Sequence, residues 1–188
     1  NNLKTLNKEN ISLIMCSNAH LVLYPVNENE YNFVAILRSK ANTSDHKNSE
    51  LLKDILEKNN LNNISDKDIS FWPIYSSNKP VISEHKNIFY LGDAFYTFPP
   101  TMAQGASQSI ESANELFKIL EEDKSDKQEI YFTNRLERVE VIRKRSNLNF
   151  FAFHLSNSFF VNIRNFFLRK LIYNKKFIDT FLGRVFRK

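Results

Sequence analysis

Only three glycines occur in 188 residues, and two of them, Gly92 and Gly105, frame one short stretch, GDAFYTFPPTMAQG. Glycine costs backbone entropy wherever its freedom goes unused, so the pairing constrains the chain on both sides of it. The apolar run NIFYL (residues 87–91) directly before Gly92 predicts a buried strand. Beyond Pro99-Pro100, which stiffen the loop, TMAQGASQSIESANELFKILEE predicts a helix. Small side chains dominate its opening, Ala103 to Ser107. Its inward face is expected to be Ala103, Ala106, Ile110, Ala113, Leu116, Phe117 and Leu120.

A strand ending in Gly-Asp places the Asp93 carboxylate at the carboxyl edge of a sheet, where α/β folds bind ligands. There it can accept hydrogen bonds from sugar-like hydroxyls. The following helix start offers free N–H groups and the positive end of a dipole, an environment suited to an electron-rich ring. Gly105 carries no side chain to block close approach. For an isolated Gly-Asp pair the alternative is structural, with Asp93 a turn residue and Gly105 a packing glycine.

Around this stretch the pattern is mixed. HLVLYPV (20–26) and YNFVAILR (31–38), separated by NENE, predict an antiparallel hairpin. NSELLKDILEKNN (48–60) places Leu51, Leu52, Ile55 and Leu56 at helical spacing. A long helix is predicted over KQEIYFTNRLERVEVIRKRSNLNFFAFHL, with Ile130, Leu136, Val139, Ile142 and Leu148 inward. Two basic, aromatic helical segments follow, around 158–173 and 175–187. The chain has no internal repeat.

Charge is unevenly distributed. The net charge is +5, but residues 150–188 hold eight Lys or Arg against the single acid Asp179, so this tail carries +7 and residues 1–149 carry −2. A tail that interleaves Phe with Lys and Arg suits a packed helical pair, an anionic membrane surface or nucleic acid. We rank them in that order and expect no nucleic-acid partner. No run reaches the ~18 apolar residues of a membrane span. One cysteine, Cys16, excludes an internal disulfide and fits a reducing, cytoplasmic setting. It reads as a small buried hydrophobe. His20, His46, His85 and His154 show no metal-ligand spacing, and no metal is expected.

The segment LGDAFYTFPPTMAQGASQSIESA resembles the second FAD-binding motif of the flavoprotein aromatic hydroxylases, the salicylate-hydroxylase-like monooxygenases, usually GDAAHxxxPxxxQGxxxxIEDA. Gly92, Asp93, Ala94, Pro100, Ala103, Gln104, Gly105, Ile110, Glu111 and Ala113 match in register. HLVLYPVNENEYNFVAI is similar to the family's HxVxYPVRxGxxxNFVA hairpin, FWPIYSSNKP to its WxLxDRxP segment, and the long helix to its YxxxRxxRxxxVQxxSxxxGxxFHLSG pattern. The resemblance spans about residues 11–172.

The resemblance implies a reaction in which FAD is reduced by NADH or NADPH, dioxygen is captured, and one oxygen enters a small aromatic substrate. It implies cofactor contacts at Gly92, Asp93, Pro100, Ala103, Gln104, Gly105, Ala106 and Ser107. Asp93 is expected on the ribityl chain and Pro100 against the flavin ring. The amides of Gly105 and Ala106 are expected at the pyrimidine oxygen. Phe95-Tyr96 stand where the family has Ala-His, and Ser112 where it has Asp. Tyr96 and Phe98 become candidates for the substrate pocket, with core packing the alternative for Tyr96. No residue is assigned as a catalytic acid or base.

No GxGxxG occurs in the chain. The expectation is therefore the C-terminal part of an α/β FAD/NAD(P)-binding monooxygenase fold, α+β within this chain. Residues 1–86 are expected to belong to the substrate-binding sheet, 87–122 to the FAD-binding strand, GD motif and helix, and 123–188 to a helical tail. Two rivals are a polyprenyl-phenol hydroxylase of quinone biosynthesis and a non-catalytic remnant kept as a binding scaffold. Oligomeric state is left open.

Overall fold

The structure is a computed structural model, and it describes residues 9–28, 30–40, 43–61, 64, 69–123, 125–181 and 183–186. The chain forms two compact units. One comprises residues 1–73 and 151–166, the other 74–150 and 167–188.

The first unit is built on an antiparallel sheet of three strands in chain order, β1 (Ser12–Cys16), β2 (Ala19–Pro25) and β3 (Tyr31–Leu37). The predicted hairpin is β2–β3, with Leu21 opposite Ala35 and Leu23 opposite Phe33. Strand β1 is an addition that the sequence reading did not contain. It pairs with β2 through a two-residue turn, Ser17-Asn18, in which Asn18 takes a left-handed φ of 57°. Asparagine tolerates that region. Successive strand residues face opposite sides of a sheet, so Ala19, Leu21 and Leu23 share one face. They meet Leu52, Ile55 and Leu56 of helix α1 (Asp45–Lys58) in the core. The predicted Leu51 to Leu56 stripe is the packed one. The α1 helix stops at Asn59-Asn60, where Asn60 is left-handed and the Leu61 N–H bonds the Leu56 carbonyl at 2.8 Å.

The other face of β2 carries His20. Its ring is buried, with Nδ1 2.9 Å from Nε2 of His154 and the Phe153 ring edge-on at 5.3 Å. The backbone supports the same contact, because the Asn18 N–H donates to the His154 carbonyl at 3.3 Å.

The second unit holds a one-turn helix α2 (Gly92–Phe95), helix α3 (Gly105–Glu121) and most of the 27-residue helix α4 (Lys127–Phe153). Its apolar cluster joins Phe95, Tyr96 and Val139, with Tyr90, Phe98 and Phe132 packed against it. The rings of Phe95 and Phe132 meet edge to face at 6.0 Å.

Two expectations are corrected here. Residues 87–91 do not form a strand, because a strand needs a neighbour to complete its ladder and none runs beside it among the described residues. Side chains from α4 take over its carbonyls. Gln128 Nε2 donates to the carbonyls of Ser83, His85 and Ile88 at 3.2, 2.9 and 3.1 Å, and the Tyr131 hydroxyl donates to that of Tyr90 at 3.0 Å. The only sheet among the described residues is thus antiparallel, and the architecture is α+β.

The second correction concerns α3, whose expected inward face points out. Ile110 is 72% exposed and Phe117 61%, while Gln108, Ser112 and Ile119 are buried. The cause lies on α4, where Arg135 is 1% exposed and needs polar partners. It donates to Gln108 Oε1 at 2.7 Å and to Glu111 and Glu115 at 3.3 Å each. A buried guanidinium has turned the polar side of α3 inward.

The tail forms α5 (Ser158–Leu171), α6 (Lys175–Phe181) and α7 (Gly183–Phe186); the predicted last segment ran to Arg187, which lies outside the described residues. Neither α5 nor α6 has a fully buried residue, while Val185 of α7 is 1% exposed and the Arg145 guanidinium lies 4.6 Å from the centre of the Phe181 ring.

Candidate cofactor site

The site begins where the extended Leu91 (φ −120°, ψ 153°) gives way to Gly92 at φ +51°. Two requirements meet at this glycine. Its φ is one that side-chain-bearing residues avoid. A Cβ added to it would also lie 2.2 Å from Ser109 Oγ and 2.9 Å from Ser109 Cβ. Only glycine lets the turn lie against α3. The Tyr96 N–H then closes α2 onto the Gly92 carbonyl at 2.9 Å.

This turn presents Asp93 to solvent at the start of α3. The position a Cβ of Gly105 would occupy is 4.0 Å from Asp93 Oδ1. Gly105, Ala106 and Ser107 are exposed, and Gln104 at the N-cap makes no side-chain capping bond. Their N–H groups have no carbonyl one turn earlier within the helix to receive them.

The connecting loop is held in an unusual shape. Ala103 sits at φ +50°, a left-handed conformation that costs a non-glycine residue roughly 1–2 kcal/mol. Thr101 fastens the loop to α4. Its Oγ1 donates to the Ser146 carbonyl at 2.8 Å, its N–H to the Pro99 carbonyl at 2.8 Å, and its carbonyl accepts from Asn149 Nδ2 at 3.5 Å.

The sequence-predicted residues therefore divide. Asp93, Pro100, Ala103, Gly105, Ala106 and Ser107 are exposed around the start of α3, and Gly92 is half-buried beneath them. The Gln104 side chain is buried and accepts from Gln108 Nε2 at 3.3 Å, so it offers a ligand its backbone. Tyr96 is buried in the aromatic cluster, its ring 4.9 Å from that of Phe98, which is half-buried. Burial pushes the Tyr96 phenol above its ordinary pKa. This is the packing alternative for Tyr96.

The sequence reading gave no role to the ion cluster that holds α3 on α4. Glu111 accepts from Arg138 Nε at 2.7 Å as well as from Arg135, and Arg138 also donates to the Val185 carbonyl. Burial alone would raise the Glu111 pKa, but the hydrogen bonds and charge of the two arginines hold it below its ordinary value. The signal was present as Arg135 and Arg138 at i, i+3 on α4, opposite Glu111 and Glu115 at i, i+4 on α3. Ser112, in the position usually held by Asp, is buried and donates to the Gln108 carbonyl at 2.6 Å. Cys16 is half-buried, and burial raises its thiol pKa, as suits a packing residue.

The sequence profile of a family described as "FAD binding domain" matches residues 3–143. A 6-hydroxynicotinate 3-monooxygenase of Bordetella bronchiseptica is 33% identical over 86 residues, which cover 44% of this chain and 22% of the relative. The chain thus matches about a fifth of that protein's length.

Proposed function

The chain belongs to the FAD-binding domain family of the aromatic-hydroxylase flavoproteins, and on that premise we propose that it forms the flavin-facing part of a monooxygenase. The enzyme hydroxylates a small aromatic substrate, using dioxygen and NADH or NADPH. In this reading the chain is the C-terminal portion, and the dinucleotide-binding half lies elsewhere in the protein. The relative's name supports a ring that already bears oxygen as the substrate class.

One observation carries the reading, the exposed carboxylate of Asp93 set against the exposed, uncapped start of α3. FAD fits this surface chemically. Asp93 accepts hydrogen bonds from the ribityl hydroxyls, and Gly105 leaves room for close approach. The N–H groups of Gly105, Ala106 and Ser107 would meet the oxygen-bearing edge of the ring with the positive end of the α3 dipole, favouring a negatively charged flavin. Pro100 and the strained Ala103 shape the surface beside it, and Gly92 permits the turn that aims Asp93. Phe98 offers an apolar wall for an aromatic substrate. When bound, FAD supplies the redox chemistry that passes electrons from the nicotinamide to dioxygen; the residues of this chain bind, orient and polarise.

The test is flavin binding by the full-length protein, read by absorbance and fluorescence, with and without Asp93→Ala. Asp93 is exposed, so the variant is expected to stay folded and lose flavin. A folded full-length protein that holds no flavin overturns the reading and makes the motif part of a non-catalytic scaffold. Turnover with a prenylated phenol, but not with small hydroxylated aromatics, would move the substrate to quinone precursors.

A further inference from the structure

Helix α5 is amphipathic in the reverse of the usual sense. Its half-buried residues are Val161, Arg164, Asn165, Leu168 and Leu171, and Arg164 anchors it by donating to the Ala152 carbonyl at 2.9 Å. Facing outward are Phe159, Phe160, Ile163, Phe166 and Phe167, between 39% and 65% exposed. At 3.6 residues per turn these five positions fall within an arc of about 120°. A surface helix of a soluble protein places such a stripe inward, and contiguous exposed apolar surface marks an interaction site.

Charge identifies the partner. Between Glu140 and Asp179 the sequence contains no acidic residue, and Arg169, Lys170, Lys175 and Lys176 follow the aromatic stripe. Ile172 and Tyr173, at the end of the helix, are exposed as well. Aromatic rings followed by an excess of cations, Arg164, Arg169, Lys170, Lys175 and Lys176 against the one acid Asp179 over residues 158–181, match the two layers of an anionic bilayer surface, acyl chains below and phosphates above. Among the described residues no helix is long and apolar enough to cross a membrane, so the geometry is that of a helix lying in the interface.

We propose that α5 is a peripheral docking surface for an anionic lipid bilayer, with Phe159, Phe160, Ile163, Phe166 and Phe167 entering the acyl boundary and the following cations meeting the headgroups. The inference is independent of the flavin reading.

The experiment is sedimentation of the full-length protein with vesicles of phosphatidylcholine and phosphatidylglycerol, and with phosphatidylcholine alone. Binding is expected to the anionic vesicles, to weaken as salt rises, and to drop at least about tenfold in the triple variant Phe159→Ser, Phe160→Ser, Ile163→Ser, which removes most of the apolar surface offered to the acyl boundary. These side chains are exposed, so the variant should keep the circular dichroism of the parent. A second readout is Phe160→Trp in a Trp72→Phe background, whose emission should shift to the blue on anionic vesicles. Absence of binding at low salt overturns the proposal, as does binding that the triple variant leaves intact. Self-association through α5 without vesicle binding, or retention on polyuridylate without vesicle binding, overturns it in favour of those partners.

Discussion

Acidification should loosen the first unit through one residue, His20. Its imidazole is held neutral by burial first, and by the nearby His154 second, so that its pKa falls from 6.5 to about 4. The folded-state value lies below the unfolded one. The unfolded chain therefore takes up a proton below pH 6.5 that the folded chain refuses until about pH 4. Stability from this group is complete above pH 6.5 and is lost as pH falls through that window. The full difference corresponds to about 3 kcal/mol, and by pH 5 roughly 2 kcal/mol of it should be gone. Glu111, whose pKa is lowered from 4.5, acts at more acidic pH. The assay is urea unfolding at pH 7 and pH 5, paired with NMR titration of the His20 ring. In His20→Asn, which keeps a polar atom near the Nδ1 position without a titrating group, the loss between pH 7 and 5 should shrink by about 2 kcal/mol. An unchanged loss in that variant, or a His20 resonance titrating near 6.5 in the folded protein, would refute the reasoning.

Three further outcomes are expected. Gly92→Ala forces a Cβ into Ser109 and an unfavourable φ, and should destabilise by about 2–4 kcal/mol in thermal unfolding; adding Ser109→Gly should recover the steric part alone. Arg135→Met removes the cation shared by Gln108, Glu111 and Glu115 and should lower stability by about 3 kcal/mol by chemical denaturation, whereas Glu115→Gln, farther from the second arginine, should cost less. Thr101→Val removes the hydroxyl that ties the loop to the Ser146 carbonyl; flavin affinity should fall several-fold with little change in global stability, and Thr101→Ser should restore it.

The fold was legible where periodicity and packing agree. The β2–β3 hairpin alternates, α1 repeats leucine and isoleucine at helical spacing, and α4 keeps Val139 and Ile142 inward, although Leu148 of the same expected stripe is 55% exposed. Strand β1 escaped because Ser17-Asn18 is a weaker turn signal than Asn-Gly. The run 87–91 has the composition of a strand, but composition cannot supply a ladder partner. On α3 the apolar pattern pointed the wrong way, because hydrophobic periodicity takes no account of a buried arginine that draws Gln108, Glu111 and Glu115 toward it. Of the two glycines that frame the stretch, Gly92 has a steric reason in the structure, whereas a Cβ at Gly105 would meet only Asp93 Oδ1, at an ordinary 4.0 Å. The His20–His154 contact joins residues 134 positions apart, and no local pattern encodes such a distance.

The left-handed Ala103 has a consequence for the order of events when a ligand arrives. A disfavour of roughly 1–2 kcal/mol means that an unrestrained chain would adopt this shape about five to thirty times less often than its alternatives. Folding of the surrounding helices, and the grip of Thr101 on α4, have already imposed it. A flat ring settling against Pro100 and Gly105 would meet a surface whose ordering preceded it, so that little of its binding free energy would be consumed in arranging the loop. Replacing Ala103 with glycine would ease the strain in the folded chain and widen the choices of the unfolded one, and the loop would then depend more heavily on its two flanking anchors.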